Sequence, residues 1–254
     1  MVKRPMFLLT LKYVLWVTQP CLQALLACLM LRRKLYRQYP IFLAYTVSHV
    51  VRFLVLFYVY HGGNREAYRY TFLGAEVLDA ALAFAVIYEL YWCLFRSYEG
   101  VRKLADIVFR CAAVVLLAIA VLTTFTSPAT DSNRVLAGLF TLDRSVNVVS
   151  GGLLLLLFLA SSYLGLRWKR LALGIALGLA LDNSVELAAF ALRVHWGLLG
   201  KPVLSLISSA AYDCSVLIWL ACLLSPEPAP PPAKLPGRLE LEGWNQALLE
   251  LLHQ

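Results

Sequence analysis

Charged residues are scarce in this sequence: they make up 15% of its 254 residues, whereas 61% are hydrophobic. A soluble domain of this length cannot enclose so many apolar side chains, which excludes an ordinary soluble fold. The net charge of +8 could indicate a nucleic-acid-binding protein. Most of the lysines and arginines, however, stand in short clusters between apolar runs, as residues that set membrane topology do. The composition therefore predicts an integral protein of the lipid bilayer that binds no nucleic acid.

Residues that hold metals or form covalent intermediates are also few. Of four histidines, only His49 lies at spanning depth in an apolar run, so a zinc hydrolase would lack its ligands. All six cysteines lie in apolar runs without CxxC or Cys–His spacing, which is typical of reduced thiols packed in a core. The last apolar run contains no lysine for a retinal Schiff base. We therefore predict no catalytic constellation, no cofactor and no bound metal.

The sequence does contain long apolar runs. Seven of them reach the length of roughly 20 residues that a membrane-spanning helix needs. The loops between them are short, which favours antiparallel neighbours in one bundle. We therefore expect an all-α fold in which residues 1–224 form a bundle of seven transmembrane helices. The predicted spans are Tyr13–Leu31, Tyr39–Tyr60, Tyr68–Phe95, Leu104–Phe125, Val135–Tyr163, Leu171–Arg193 and Pro202–Leu224.

Positive charges predict the orientation of these spans. Twelve lysines and arginines flank the spans or follow them on one side, and eight do so on the other. Because cytoplasmic loops carry the excess of positive charge, we expect the N-terminus outside and the C-terminus in the cytoplasm. The expected location is the plasma (inner) membrane, crossed several times.

The composition changes after Leu224. Residues 225–238 form a proline-rich linker, and residues 239–254 repeat Leu241, Trp244 and Leu248 at helical spacing. We predict a short cytoplasmic amphipathic helix there, which is acidic and therefore poorly suited to anionic lipid. It either docks on the bundle or on a cytoplasmic partner protein, or it rests at the membrane interface.

The sixth span combines small and acidic residues on one face. Gly174, Gly178, Asp182 and Glu186 follow one another at four-residue steps, each of which turns about 40° past a full circle of the helix. The glycines allow a neighbouring helix to approach closely. The carboxylates must face protein or water, because a charged side chain in lipid costs roughly 2.5–3.5 kcal/mol.

Counting along each span places the other intramembrane charges at a similar height, in the middle and outer half of the bundle. Six carboxylates meet two arginines and one histidine there, so pairing with arginine cannot neutralise them all. The excess carboxylates are protonated, hold a cation or line a water-filled cavity. Arg52 and Arg144 have a structural alternative, in which each clamps two helices through carboxylate pairs. The predicted site residues are Asp182, Glu186, Asp213, Asp143, Arg144, Glu76, Asp79, Arg52, His49, Asn183 and Tyr212.

Several stretches together resemble an uncharacterised bacterial family of seven-helix integral membrane proteins. They are VIYELYWCLFRSYEGVRKLADIVFR, DRSVNVVSGGLLLLLFLA, GIALGLA, AYDCSVLIWLACLL and, in the tail, LEGWNQALLELL. The likeness covers most of the chain from Tyr39 onward. It implies the seven-span layout and no assigned activity, and Asp143-Arg144-Ser145 fits the family pattern of an acidic residue before Arg-Ser.

These features favour a sensor or receptor-like protein whose acidic cavity opens to the extracytoplasmic side. Its ligand would be a small cation, a small hydrogen-bonding molecule or protons, and the tail helix would carry the response to a partner. The runner-up is a proton- or cation-coupled transporter that uses the same carboxylates. A structural or assembly subunit held together by internal salt bridges is the third hypothesis.

Overall fold

The computed structural model describes residues 6–63, 65–95, 107–112, 114–115, 118, 131–163, 168–196 and 201–225, without the side chains of residues 6–13, 16, 65, 131–144, 193–196 and 201–202. Helices are the regular structure of this part of the chain, and it contains no strand. Most of the predicted fourth span, the linker beyond Ser225 and the predicted tail helix lie outside the described residues.

The chain forms long apolar helices, as the sequence predicts. Five of those within the described residues are long and apolar enough to cross a membrane, and these are α2, α3, α5, α6 and α7. The described apolar part of α1, Val17–Arg32, is shorter. The prediction of an all-α fold with several helices of membrane-spanning length is therefore confirmed for this part. The helices are α1 (Met6–Arg32), α2 (Pro40–His61), α3 (Arg65–Leu94), α4 (residues 107–112), α5 (Asp131–Tyr163), α6 (Arg170–Trp196) and α7 (Lys201–Leu224).

Several helix ends extend beyond the apolar runs that predicted them. The fifth span was expected to begin at Val135, but α5 begins at Asp131. An acidic residue at a helix N-terminus is favourable, because it faces the positive end of the helix dipole. The sixth span was expected to end at Arg193, but α6 continues to Trp196. Hydropathy marks the segment that lipid can surround, whereas the backbone hydrogen bonds of a helix continue into polar flanks.

Six of the helices in the described part of the chain contact one another in a ring. In order around it are α1, α2, α3, α5, α6 and α7, with α7 packed against α1 and with α3 also touching α6 across the ring. The helical stretch α4 packs against α3, where the ring of Phe109 meets that of Tyr91 with centroids 5.0 Å apart. The ring places the inward faces of α2, α3, α5 and α6 around a common space.

Two pairs of helices that are neighbours in the ring run in the same direction, whereas the other neighbours are antiparallel. Gln23 of α1 contacts Tyr212 of α7, and Arg33, which directly follows α1, contacts Leu223, so α1 and α7 are parallel. In α5, Gly151 lies against Asn183 and Leu187 of the following helix, as expected for antiparallel neighbours. The helices α3 and α5 are also parallel, because α2 is antiparallel to both α3 and α7 and α6 is antiparallel to both α5 and α7.

The predicted close approach at the glycines of α6 is confirmed. A Cβ atom added at Gly174 would lie 2.6 Å from Sγ of Cys222 in α7. One added at Gly178 would overlap the indole ring of Trp219. The Ser215 hydroxyl crosses the same interface and donates to the carbonyl oxygen of Gly178 at 2.8 Å. The absence of both side chains therefore lets α7 pack directly on the backbone of α6.

Replacing Gly178 by alanine should destabilise this interface by about 1–3 kcal/mol, because the fully buried Trp219 has to move. The measurement is the unfolding transition of the purified protein in detergent. Gly74→Ala is the matched control, because a Cβ at Gly74 meets nothing within 4 Å. Equal stability of the two variants would contradict the tight α6–α7 contact.

The N-terminus of α2 is capped by a side chain from another helix. Tyr39 precedes the helix and makes no side-chain capping bond, and Pro40 occupies the first turn. The two carboxylate oxygens of Glu89, in α3, accept the backbone N–H groups of Ile41 and Phe42 at 2.9 Å each. Glu89 is buried, so its charge is held by the first turn of α2.

Candidate functional site

An ion-pair network joins α2 to α3 near the middle of both helices. His49 Nε2 lies 2.8 Å from Oδ1 of Asp79. Arg52, one turn further along α2, pairs with Glu76 and reaches Oδ2 of Asp79 at 3.4 Å. The Arg52 guanidinium also lies 5.4 Å from the centre of the Phe72 ring. Arg52 of α2 therefore pairs with two carboxylates of α3. This is the structural role, a clamp between two helices, that the sequence analysis gave as the alternative to a role in ligand binding.

Exposure rises along this network. The side chain of His49 is 9% exposed and that of Glu76 is 35% exposed. Glu76 is the member of the network nearest to the start of α3, where α2 ends. The network is therefore most open towards the end of the bundle that contains the α2–α3 connection.

A cavity of about 80 Å³ lies beside the network. This volume holds a few water molecules or one small solute. Its apolar wall comes from side chains such as Ala80, Ala83 and Leu154, and its polar residues come from four helices. They are Tyr45 of α2, Glu76 and Asp79 of α3, Asn147 and Ser150 of α5, and Asp182, Asn183 and Glu186 of α6.

Two of the four carboxylates that line the cavity have no cationic partner among the described side chains. Asp182 lines the same cavity as Glu186 and Asp79, so these carboxylates repel one another when they are ionised. Arg52 and His49 are engaged by Glu76 and Asp79. The α6 side of the cavity is therefore negative, and a bound cation or proton would relieve the repulsion.

Neutral polar residues of α5 and α6 line the cavity together with these carboxylates. Asn183 is 9% exposed and Ser150 is 6% exposed. Within the described part of the chain, Oδ1 of Asn183 and Oγ of Ser150 are buried without a hydrogen-bond partner. The cavity thus offers buried acceptor atoms as well as negative charge.

Aromatic rings form the inner side of the network. The His49 ring lies edge-on to Tyr45, with centroids 4.6 Å apart, and 5.1 Å from the ring of Tyr212 in α7. The amide of Gln23 in α1 donates to the Tyr212 hydroxyl at 2.5 Å, and Trp219 packs against both tyrosines. His49 is therefore held between a carboxylate and a buried aromatic cluster that reaches α1.

The structure brings together most of the residues that the sequence proposed for the site, but not all of them. Tyr212 touches the network through His49 and does not line the cavity. Asp213 is buried in α7 away from the cavity lining, and both of its carboxylate oxygens lack a partner within the described residues. Asp143 and Arg144 belong to α5, and their side chains lie outside the described part. Those that line the cavity or pair with its carboxylates are Glu76, Asp79, Asp182, Asn183, Glu186, Arg52 and His49.

Sequence reasoning missed Ser150 and Gln23. Ser150 follows Asn147 by three residues and precedes Leu154 by four, and all three line the cavity. This helical spacing from Asn147 was the available signal. Gln23 is fully buried in α1, but a single amide in an apolar run does not reveal which helix it faces.

Among the residues that the structure describes, no group of three or more histidine, cysteine, aspartate and glutamate side chains is placed to hold a metal ion. The carboxylates, amide and hydroxyl of the cavity can instead bind through charge and hydrogen bonds. The chain matches no protein-family model, and it has no significant match among curated proteins or solved structures.

Proposed function

We propose that this protein is a membrane sensor that binds a small cation in the cavity between α2, α3, α5 and α6. The observation that carries the proposal is the position of Asp182 and Glu186. Both line a cavity, and neither has a cationic partner among the described side chains. Unpaired carboxylates at membrane depth are costly, so a bound cation, a proton or water has to compensate them.

The parallel arrangement of α3 and α5 supports a bundle of seven spans. If both helices cross the membrane in the same direction, the chain between them has to return across it. The apolar run Leu104–Phe125 has the length for that return. This layout agrees with the seven-helix family that the sequence resembles. Combined with the excess of positive charge in one set of loops, it would open the cavity to the extracytoplasmic side of the plasma (inner) membrane.

In this proposal the response passes to the cytoplasm. His49 and Tyr212 connect the cavity to α7, and α7 is the last helix before the linker. The acidic tail helix would then present the signal to a cytoplasmic partner. A coupled transporter would use the same carboxylates, and a structural subunit would use only the clamp between α2 and α3.

The test is ligand-induced stabilisation of the purified full-length protein in detergent. Ammonium, methylammonium, sodium and potassium chlorides are compared at equal ionic strength with N-methylglucamine chloride, whose cation is too large for the cavity. A sensor should be stabilised by at least one small cation, by about 2.7 kcal/mol at one hundred times its dissociation constant. Asp182→Asn should remove this stabilisation.

Asp213→Asn is the matched control, because it removes a buried carboxylate that does not line the cavity. It should leave the stabilisation by cations unchanged. Uptake of the same cation into liposomes would favour the transporter. Absence of stabilisation by every small cation, with wild-type behaviour of Asp182→Asn, would contradict the proposal and leave the structural subunit.

A further inference from the structure

The neutral acceptors of the cavity indicate what kind of cation fits. Ser150 and Asn183 both line the cavity. Oγ of Ser150 and Oδ1 of Asn183 are buried and have no hydrogen-bond partner among the described atoms. A buried acceptor without a donor loses its hydrogen bonds to water without replacement, and such groups are rare in folded proteins. A ligand that supplies donors would satisfy both atoms.

The hydroxyl of Ser150 is placed differently from those of Ser184 and Ser209, and it shares its lack of a partner with Ser208, which does not line the cavity. Ser184 and Ser209 each donate to the backbone carbonyl four residues earlier, at 2.6 and 3.0 Å. This local bond is the usual way for a serine to satisfy its hydroxyl inside a helix. Ser150 makes no such bond, and it is one of the residues that line the cavity.

Asn183 is positioned by the glycine opposite it. A Cβ atom at Gly151 would lie 3.0 Å from Nδ2 of Asn183, which is closer than ordinary van der Waals contact. The missing side chain at Gly151 thus makes room for the amide nitrogen. The amide oxygen is the atom of Asn183 left without a partner.

We propose that the cavity is specific for a compact cation with N–H donors, such as ammonium or methylammonium. This rests on the proposed function. Asp182 and Glu186 would take the positive charge, while Ser150 and Asn183 would each accept one N–H group. A primary ammonium group has three such donors, so it can satisfy a carboxylate and both neutral acceptors at once.

Other cations fit this lining less well. Tetramethylammonium has no N–H donor and would leave Ser150 and Asn183 without hydrogen bonds. A buried site binds such a ligand much more weakly, because its polar groups stay unpaired. Alkali and alkaline-earth ions prefer a shell of about six oxygen ligands. The described carboxylates are not grouped for metal coordination. The small volume, about 80 Å³, disfavours long-chain amines.

The experiment measures binding of methylammonium, tetramethylammonium and potassium to the full-length protein by calorimetry. We expect methylammonium to bind at least about tenfold more tightly than either of the others, since one hydrogen bond to a charged group is worth about that factor. Ser150→Ala should weaken methylammonium about tenfold and leave tetramethylammonium unchanged. Gly151→Ala should do the same by displacing the Asn183 amide.

Gly152→Ala is the matched control, because a Cβ at Gly152 meets nothing within 4 Å. It should bind all three cations as the wild type does. If Gly151→Ala does not fold, Ser150→Ala alone decides, because it removes a single hydroxyl oxygen.

The outcomes separate the two proposals. Equal affinities for the three cations, all lost in Asp182→Asn, would overturn the specificity and leave the cation sensor standing. Potassium bound as tightly as methylammonium would have the same consequence and would indicate a metal-ion site. If no cation binds to the wild type, both proposals are overturned.

Discussion

Replacing Arg52 by methionine is expected to destabilise the bundle by about 1–3 kcal/mol. This is less than the roughly 3–5 kcal/mol found when one partner of a fully buried ion pair is removed, because the side chains of Arg52 and Glu76 are 21% and 35% exposed. Arg52 pairs with Glu76 and Asp79. Methionine keeps much of the length of the side chain but leaves both carboxylates without their guanidinium. His49 remains beside Asp79, whereas Glu76 loses its basic partner among the described side chains.

The effect should be specific to the charge, and a mutant cycle can show this. Adding Glu76→Gln to Arg52→Met removes one of the two orphaned charges and should recover part of the loss. Adding Asp79→Asn as well should recover more. The measurement is the free energy of unfolding of the purified protein in mixed micelles.

Arg69→Met provides the control on the same pair of helices. Arg69 is exposed in α3, and its replacement should change the stability by no more than about 0.5 kcal/mol. If Arg52→Met costs no more than Arg69→Met, then the ion pairs of Arg52 are screened by solvent. The cavity beside them would then be far wetter than its burial indicates.

The helices could be predicted because lipid imposes a simple rule on sequence. Runs such as those of α2 and α7 are predominantly apolar from end to end, so hydropathy identified them within a few residues. The start of α5 at Asp131 was missed for a physical reason. Residues beyond the lipid are free to be polar, so hydropathy does not report where a helix begins.

The depth of the charged residues along the bundle axis was predictable from sequence, but the side of the helix on which each one faces its neighbours was not. Counting residues from the membrane surface placed Asp79 and Asp182 at a common depth, and both line the cavity. Asp213 has a similar depth and does not line it. Depth depends on the rise of 1.5 Å per residue, whereas direction depends on how far each helix is rotated about its own axis. That rotation is set by packing, which one sequence does not display.

The glycines of α6 are an exception, because their effect is local. Gly174 and Gly178 are spaced for one face, and that face contacts α7. Four residues further on, the same stripe has turned enough for Asp182 to reach the cavity instead. A stripe that advances about 40° per step thus serves two neighbours in turn, first a helix and then a binding space.

Glu89 shows how a charge near a span end can be overlooked. In sequence it resembles an interfacial acid of α3. In the structure its two oxygens accept the N–H groups of Ile41 and Phe42. The available signal was at α2, since Tyr39 and Pro40 provide no side-chain cap for the first turn. A helix that starts without its own cap inside a protein needs an acceptor from elsewhere.

Replacing Glu89 by alanine should therefore destabilise the protein by about 3–5 kcal/mol. Two hydrogen bonds to a charged group are lost, at about 1.5–3 kcal/mol each. Water can recover part of this. Glu89→Gln keeps one amide oxygen and should fall between alanine and the wild type, and unfolding in mixed micelles measures all three. Hydrogen exchange at Ile41 and Phe42 localises the effect, because their amide protons should exchange faster in Glu89→Ala, while those at the far end of α2 should not. A uniform increase along the whole helix would instead mean that Glu89 stabilises the packing of α2 on α3, and that capping is not its main contribution.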